Sequence, residues 1–214
     1  MKATMAYSDF KLTDIKDILG LSLREKERLF AQADELEAGQ HLQETLAYNV
    51  PLAISINTEK ARSELIVTPI LVEMLKRFDP QLSMFSGIEF NVDKEKGLNG
   101  VCDYIISLSP EQLVLDTPLI TIVEAKNDNI KSGLGQCISE MFAAQIYNRS
   151  HKRHVQSIYG LVTTGSLWNF LKLTEKIVWI DQDEYHISNS SKILGILVAI
   201  IQNNGIKFSE TTLI

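Results

Sequence analysis

Two cysteines in 214 residues, Cys102 and Cys137, are too few for a disulfide framework, and no Cys-x-x-Cys occurs. With only four histidines beside them, a structural zinc site is not expected. There is no run of 18 or more apolar residues, and residues 193–201 are too few to cross a bilayer. The first ten residues carry no apolar signal-peptide region, so a cytoplasmic protein with no membrane partner is expected. Positive charge is also scarce. The net charge is −6, whereas a protein that coats DNA stoichiometrically is normally basic. Tight non-specific nucleic-acid binding is therefore disfavoured. A metal-binding acidic site with local basic patches is compatible with that total. Repeats and low-complexity segments are absent.

What is present is a chain that is 45% apolar, enough for one soluble domain with a full core. The expected organisation is a single domain over 1–214, with a helical extension over 1–50 and a core over 51–214. Residues 8–38 read as helical, interrupted at Gly20 and ended by Gly39. Ser22 with Glu25 three residues on suggests a capping box for the second stretch. Residues 49–56, containing Pro51, read as short and extended. A helix is predicted over 59–78, with Pro69 either kinking it or restarting it behind Thr68.

Strands are expected at 84–91 and 101–109, with Asn99-Gly100 as the turn signal before the second. The run 119–126 is apolar enough to be a central strand buried on both faces until its last residues. Residues 127–135, with Gly133 and Gly135, read as a polar loop before a helix ending near Tyr147. On that helix Gln136, Glu140, Ala143 and Tyr147 line one stripe. Strands at 157–164, 168–173 and 177–180 and a last helix at 192–202 complete the chain. The fold class is α/β: a central mixed sheet of four to five strands flanked by helices.

The chemistry concentrates in residues 99–136. Asp103 follows Gly100 at the start of one apolar run, and Glu124 and Lys126 end another. Residues two apart on a strand share a face, so Ile120, Ile122, Glu124 and Lys126 are expected on one side. If the two strands are neighbours, Asp103 and Glu124 converge on one divalent cation beside Lys126.

The ordered set Asp103 … Glu124-Ala125-Lys126 … Gln136 resembles the PD-(D/E)XK nuclease superfamily, over roughly the extent of one compact domain. Cys102 stands where that family commonly has Pro. The resemblance implies a restriction-endonuclease-like fold and a Mg²⁺-dependent nuclease, with Mn²⁺ as a substitute. It implies Asp103, Glu124 and the Ala125 backbone carbonyl as metal ligands. Lys126 would position or deprotonate the attacking water, or stabilise developing charge. Gln136 would bind phosphate, orient water or meet DNA, and Glu64 would reach the site from the preceding helix. The chain shows no nucleophilic Ser or Cys with a partner His, which points to water as the attacking group. DNA is the expected substrate, with the basic run Arg149, Lys152 and Arg153 as a phosphate contact and a homodimer as the assembly. The other reading from a different class is a non-catalytic, nuclease-like binding or assembly protein.

Overall fold

Apolar β-branched segments pair into a sheet, and amphipathic helices cover it. This is how the sequence solves the burial of strands with two apolar faces. The computed structural model describes residues 5–206. Among these, eight strands form one mixed sheet: β1 (Ser22–Glu27), β2 (Ser83–Glu89), β3 (Val101–Ser107), β4 (Leu119–Ala125), β5 (Ile158–Thr163), β6 (Leu167–Thr174), β7 (Ile177–Asp181) and the short β8 (Tyr185–His186). Seven lie in the order β1-β7-β6-β5-β4-β3-β2, and β8 pairs with β6. The central pair β4 and β5 is parallel, and its crossover is the long helix α5 (Ile130–Ser150).

Two apolar layers sandwich this sheet. On one face α2 (Gln40–Ile56), α4 (Thr68–Phe78) and α6 (Ser190–Asn203) pack on Tyr104, Ile106, Val123, Leu161 and Phe170. On the other, α1 (Leu12–Leu19) and α5 pack on Ile105, Ile122, Val162 and Leu173. Every residue of β4 is buried, as a strand covered on both sides requires. Its face pattern slips once. Pairing with β3 shifts between Ile106 and Ser107, and Ile120 packs with Val123 rather than with Ile122. The alternation expected from Ile120 through Glu124 therefore holds only from Ile122 onward.

The expected N-terminal helical extension is corrected. Residues 22–27 form a strand, pairing in parallel with β7 from Ser22↔Ile177 to Arg24↔Trp179. Its charges sit on an exposed sheet edge, where charged residues discourage pairing with other chains. That edge role gives the same composition as a solvated helix. Residues 28–39 are not helical either. Side chains hold them instead: Arg77 donates to Glu37 O at 2.7 Å, and Gly39 N–H donates to Glu73 Oε1 at 3.0 Å. Tyr7, Phe10, Ile15, Leu19 and Leu21 belong to the α5-side core.

The extended reading of residues 49–56 is also corrected, because α2 continues through Pro51. Leu42, Leu46 and Ala53 are buried at helical spacing, and that packing outweighs the local cost of proline. The helix predicted over 59–78 is continuous in direction but composite: α3 (Glu59–Arg62), a π-helical turn at Ser63–Val67, then α4. Pro69 cannot donate to the carbonyl of Leu65. Asn49 Nδ2–H fills that gap, reaching Leu65 O at 2.9 Å.

Candidate active site

The site grows from a place where two strands part. β3 and β4 pair antiparallel at Ile106↔Thr121, Ile105↔Ile122 and Tyr104↔Val123. One step further puts Asp103 opposite Glu124, and residues opposite each other in such a pair share a face. Here the backbone ladder gives way to a side chain, because Ala125 N–H donates to Asp103 Oδ2 at 2.8 Å. On its other side β4 stays joined to β5, with Lys126 N–H donating to Thr163 O at 2.8 Å. The opening therefore lies toward β3. A cleft of about 340 Å³ occupies it, lined by Asp103, Tyr104 and Ala125, by Ser86 and Gly87 of β2, and by Glu59, Lys60, Ser63, Glu64 and Thr68.

Gly87 sits at φ +63° with nothing within 4 Å of where a Cβ would be. It leaves the β2 wall of the cleft without a side chain. Across from it the π-helical turn and the start of α4 present hydroxyls: Ser63 Oγ lies 2.5 Å from Tyr104 Oη, and Thr68 Oγ1 lies 2.8 Å from the same atom.

Glu124 and Lys126 form an ion pair at the end of β4. The Glu124 side chain is 2% exposed and that of Lys126 is 20% exposed. Burial first, then the charge of Asp103, push Glu124 up to about 8, against the pull of Lys126. Burial alone would lower Lys126, but Glu124, with Glu59 and Asp103, outweighs it and the amine is raised. Both partners thus move up. The carboxyl is sealed in beside a second carboxyl, while the amine reaches solvent and collects their field. Asp103 is raised by burial, opposed by the Ala125 N–H and by Lys126. Glu124 Oε2 is buried and has no hydrogen-bond partner among the described residues.

Helix α5 delivers the next group. The loop expected over 127–135 is corrected: α5 begins at Ile130, capped by Asn129, whose Oδ1 accepts Lys131 N–H at 2.9 Å. Gly133 and Gly135 lie inside the helix. They are there for contact and not for a turn. A Cβ on Gly133 would lie 2.8 Å from Val162 Cγ1 and 3.0 Å from Lys126 Cγ. One on Gly135 would lie 2.3 Å from Phe10 O. Gly133 lets α5 press onto the sheet and Gly135 lets it meet the Phe10–Lys11 backbone, and Gln136 Oε1 then accepts from Lys126 Nζ at 3.3 Å. Gln136 Nε2 in turn donates to Glu140 Oε1 at 3.1 Å.

Asp103, Glu124, Lys126 and Gln136 therefore meet at one place, with Ala125 between them on the strand. Glu64 does not join that contact set. It belongs to the helical segment on the opposite face of the sheet from α5, its side chain is 62% exposed, and it pairs with Lys60 at 3.7 Å. It stands on the rim of the cleft. Two acidic residues enter that were not singled out from the sequence. Glu59, from the start of the same segment, acts electrostatically on Glu124 and Lys126. Glu140 is wholly buried behind Gln136. Its spacing of four from Gln136 was the available signal; Glu59 offered none. The basic run does not reach the site. Arg149 lies 13 residues beyond Gln136 on α5, about 20 Å along the helix axis. Asn148 beside it holds the backbone of Leu119, at the opposite end of β4.

Among the described residues no group of three or more His, Cys, Asp or Glu side chains is placed to hold a metal ion. The candidate donor set is smaller: the Asp103 and Glu124 carboxylates and the Ala125 carbonyl. It is all oxygen, which suits Mg²⁺, an ion that often takes one or two carboxylates and keeps several waters. The unsatisfied Glu124 Oε2 is a buried polar atom of the kind a cation or a water would complete. No helix among the described residues is long and apolar enough to cross a membrane. The chain matches no protein-family model and no curated protein.

Proposed function

We propose that the protein is a divalent-metal-dependent nuclease that hydrolyses phosphodiester bonds of DNA with water as nucleophile, on a restriction-endonuclease-like fold. The observation that carries this reading is that Asp103, bonded to Ala125 N–H, and Glu124, paired with Lys126, stand just beyond the last β3–β4 pair. Two carboxylates beside one amine, with Asp103 and Ala125 lining the cleft, are what a metal-assisted hydrolysis needs. The order of strands and helix around them agrees with the family that the sequence resembles.

Asp103, Glu124 and the Ala125 carbonyl would hold Mg²⁺ or Mn²⁺. Bound there, the ion would offset phosphate charge and lower the pKa of a coordinated water. The chain's own residues supply the rest. The Lys126 ammonium has three N–H donors; Glu124 and Gln136 take two, leaving one for the water or a phosphate oxygen. The raised pKa of Lys126 suits an ammonium that orients and neutralises rather than a free-amine base. The hydroxyls of Ser63 and Thr68 on the cleft wall can contact the substrate backbone.

The test is calorimetric titration with Mg²⁺ and Mn²⁺ beside cleavage of plasmid and single-stranded DNA, with EDTA as control. Metal binding together with EDTA-sensitive cleavage supports the proposal. A wild-type chain that binds neither ion and cuts neither DNA nor RNA would overturn it and leave the non-catalytic binding reading.

A further inference from the structure

Glu140 is a poor choice for packing alone. It is wholly buried, one of its oxygens has no hydrogen-bond partner among the described residues, and an apolar side chain of the same size would avoid that cost. Its one side-chain hydrogen bond among the described residues is accepted from Gln136 Nε2, 3.1 Å away and four residues back on α5. That bond decides which way the Gln136 amide faces. An acceptor at Glu140 Oε1 draws the NH₂ end toward itself and turns Gln136 Oε1 to Lys126 Nζ. Without it the amide is free to flip and present its NH₂ to an ammonium, which repels it.

We infer that Glu140 is a positioning residue of the site, acting through Gln136 to fix the Lys126 ammonium between Gln136 and Glu124. The chain runs Glu140 → Gln136 → Lys126 → Glu124 and joins the interior of α5 to the end of β4. Burial of its inner end makes it rigid. Gly133 permits it, since any Cβ there would press on the Lys126 stem. The role of the fixed ammonium in hydrolysis rests on the nuclease reading; the fixing itself does not.

The experiment compares Glu140→Met, similar in size but without the acceptor, with Glu140→Gln, which can still accept at its amide oxygen. Gln136→Leu and the double variant Gln136→Leu/Glu140→Met close a cycle. The first readout is the ¹⁵N-edited NMR signal of the Lys126 side-chain ammonium, which needs no activity. It should be sharp in wild type and Glu140→Gln and broadened by solvent exchange in Glu140→Met and Gln136→Leu. The second readout is DNA cleavage with Mg²⁺. Glu140→Met should lose roughly 10–100-fold in kcat with metal affinity and KM unchanged, and Glu140→Gln should recover most of it. The loss in the double variant should not exceed that of Gln136→Leu. A Lys126 signal unchanged in Glu140→Met overturns the inference, as does a Glu140→Met loss that adds fully to that of Gln136→Leu. If wild type cuts nothing, the nuclease reading fails, and the NMR comparison still decides the positioning role.

Discussion

Asp103 Oδ2 accepts the backbone N–H of Ala125 at 2.8 Å, so a side chain closes the sheet where the β3–β4 ladder ends. In the proposed reading the same carboxylate would also bind the divalent ion. The two roles can be separated. Asp103→Ala leaves that N–H without its partner and should destabilise the chain by about 1–3 kcal/mol. Asp103→Asn keeps an acceptor oxygen but loses the charge. It should unfold near the wild-type urea midpoint while losing divalent-ion affinity about tenfold or more. Equal stability loss in both variants would count against this division.

Glu124 links the site to pH. Burial and Asp103 raise it from 4.5 to about 8, so the native chain keeps a proton that the unfolded chain has already released in that interval. Stability should therefore fall as pH rises from 4.5 to about 8 and level off above. The slope from this group is at most about 1.4 kcal/mol per pH unit. Glu140, raised by burial and by Glu124, adds in the same direction. Glu124→Gln should flatten the curve by its own share, read from urea unfolding between pH 5 and pH 9 taken as roughly the limits of the window. Divalent-ion affinity should move oppositely, rising with pH as the competing proton leaves.

If the proposed reading holds, Lys126→Ala should keep metal binding and lose turnover by about 10²-fold or more, since the ammonium would act on water and transition-state charge. Glu124→Ala should lose both, because Asp103 alone holds Mg²⁺ too weakly. Calorimetry and single-turnover cleavage on the same preparations distinguish these patterns. Loss of metal binding in Lys126→Ala would place the amine in a purely structural role.

The glycines of α5 give a packing test. Gly135→Ala puts a methyl 2.3 Å from Phe10 O, against backbone, and should cost about 1–3 kcal/mol in thermal or urea unfolding. Gly133→Ala meets mainly the side chains of Val162 and Lys126, which can shift. It should cost less stability but disturb the Lys126–Gln136 bond, and so reduce cleavage.

Arg149, Lys152 and Arg153 lie toward the far end of α5 from the site. Their replacement by Ala should leave metal affinity and cleavage of a short duplex within about twofold of wild type, because exposed charges beyond a Debye length are largely screened. A flattened salt dependence of DNA binding in that variant would show that long DNA reaches round to this end.

Much of the site was legible because it rests on local order. Strand phase and a helix following the second strand account for the contacts of Asp103 with Ala125 and of Lys126 with Glu124 and Gln136, but of these four charged or amide residues only Asp103 lines the cleft expected to hold them. Glu64 was placed by position in sequence alone, and the π-helical turn holds it on the rim beside Lys60. Gly133 and Gly135 look like loop residues until Val162, Lys126 and Phe10 are brought against them. Close approach by distant residues leaves no local trace.

The sequence by itself determined the apolar strands and the order of carboxylates, lysine and glutamine. These depend on periodicity and short-range spacing, which the chain carries wherever it folds. Tertiary structure decided that residues 22–27 are an edge strand rather than a helix, that α2 runs through Pro51, and that Glu140 is sealed behind Gln136. Each depends on a partner far along the chain: Ile177 and Val178 for the strand, the α4–α6 layer for α2, and the sheet beneath α5 for Glu140. Pairing and burial of that kind outweigh local propensity, which spans only about 1 kcal/mol per residue for residues other than proline.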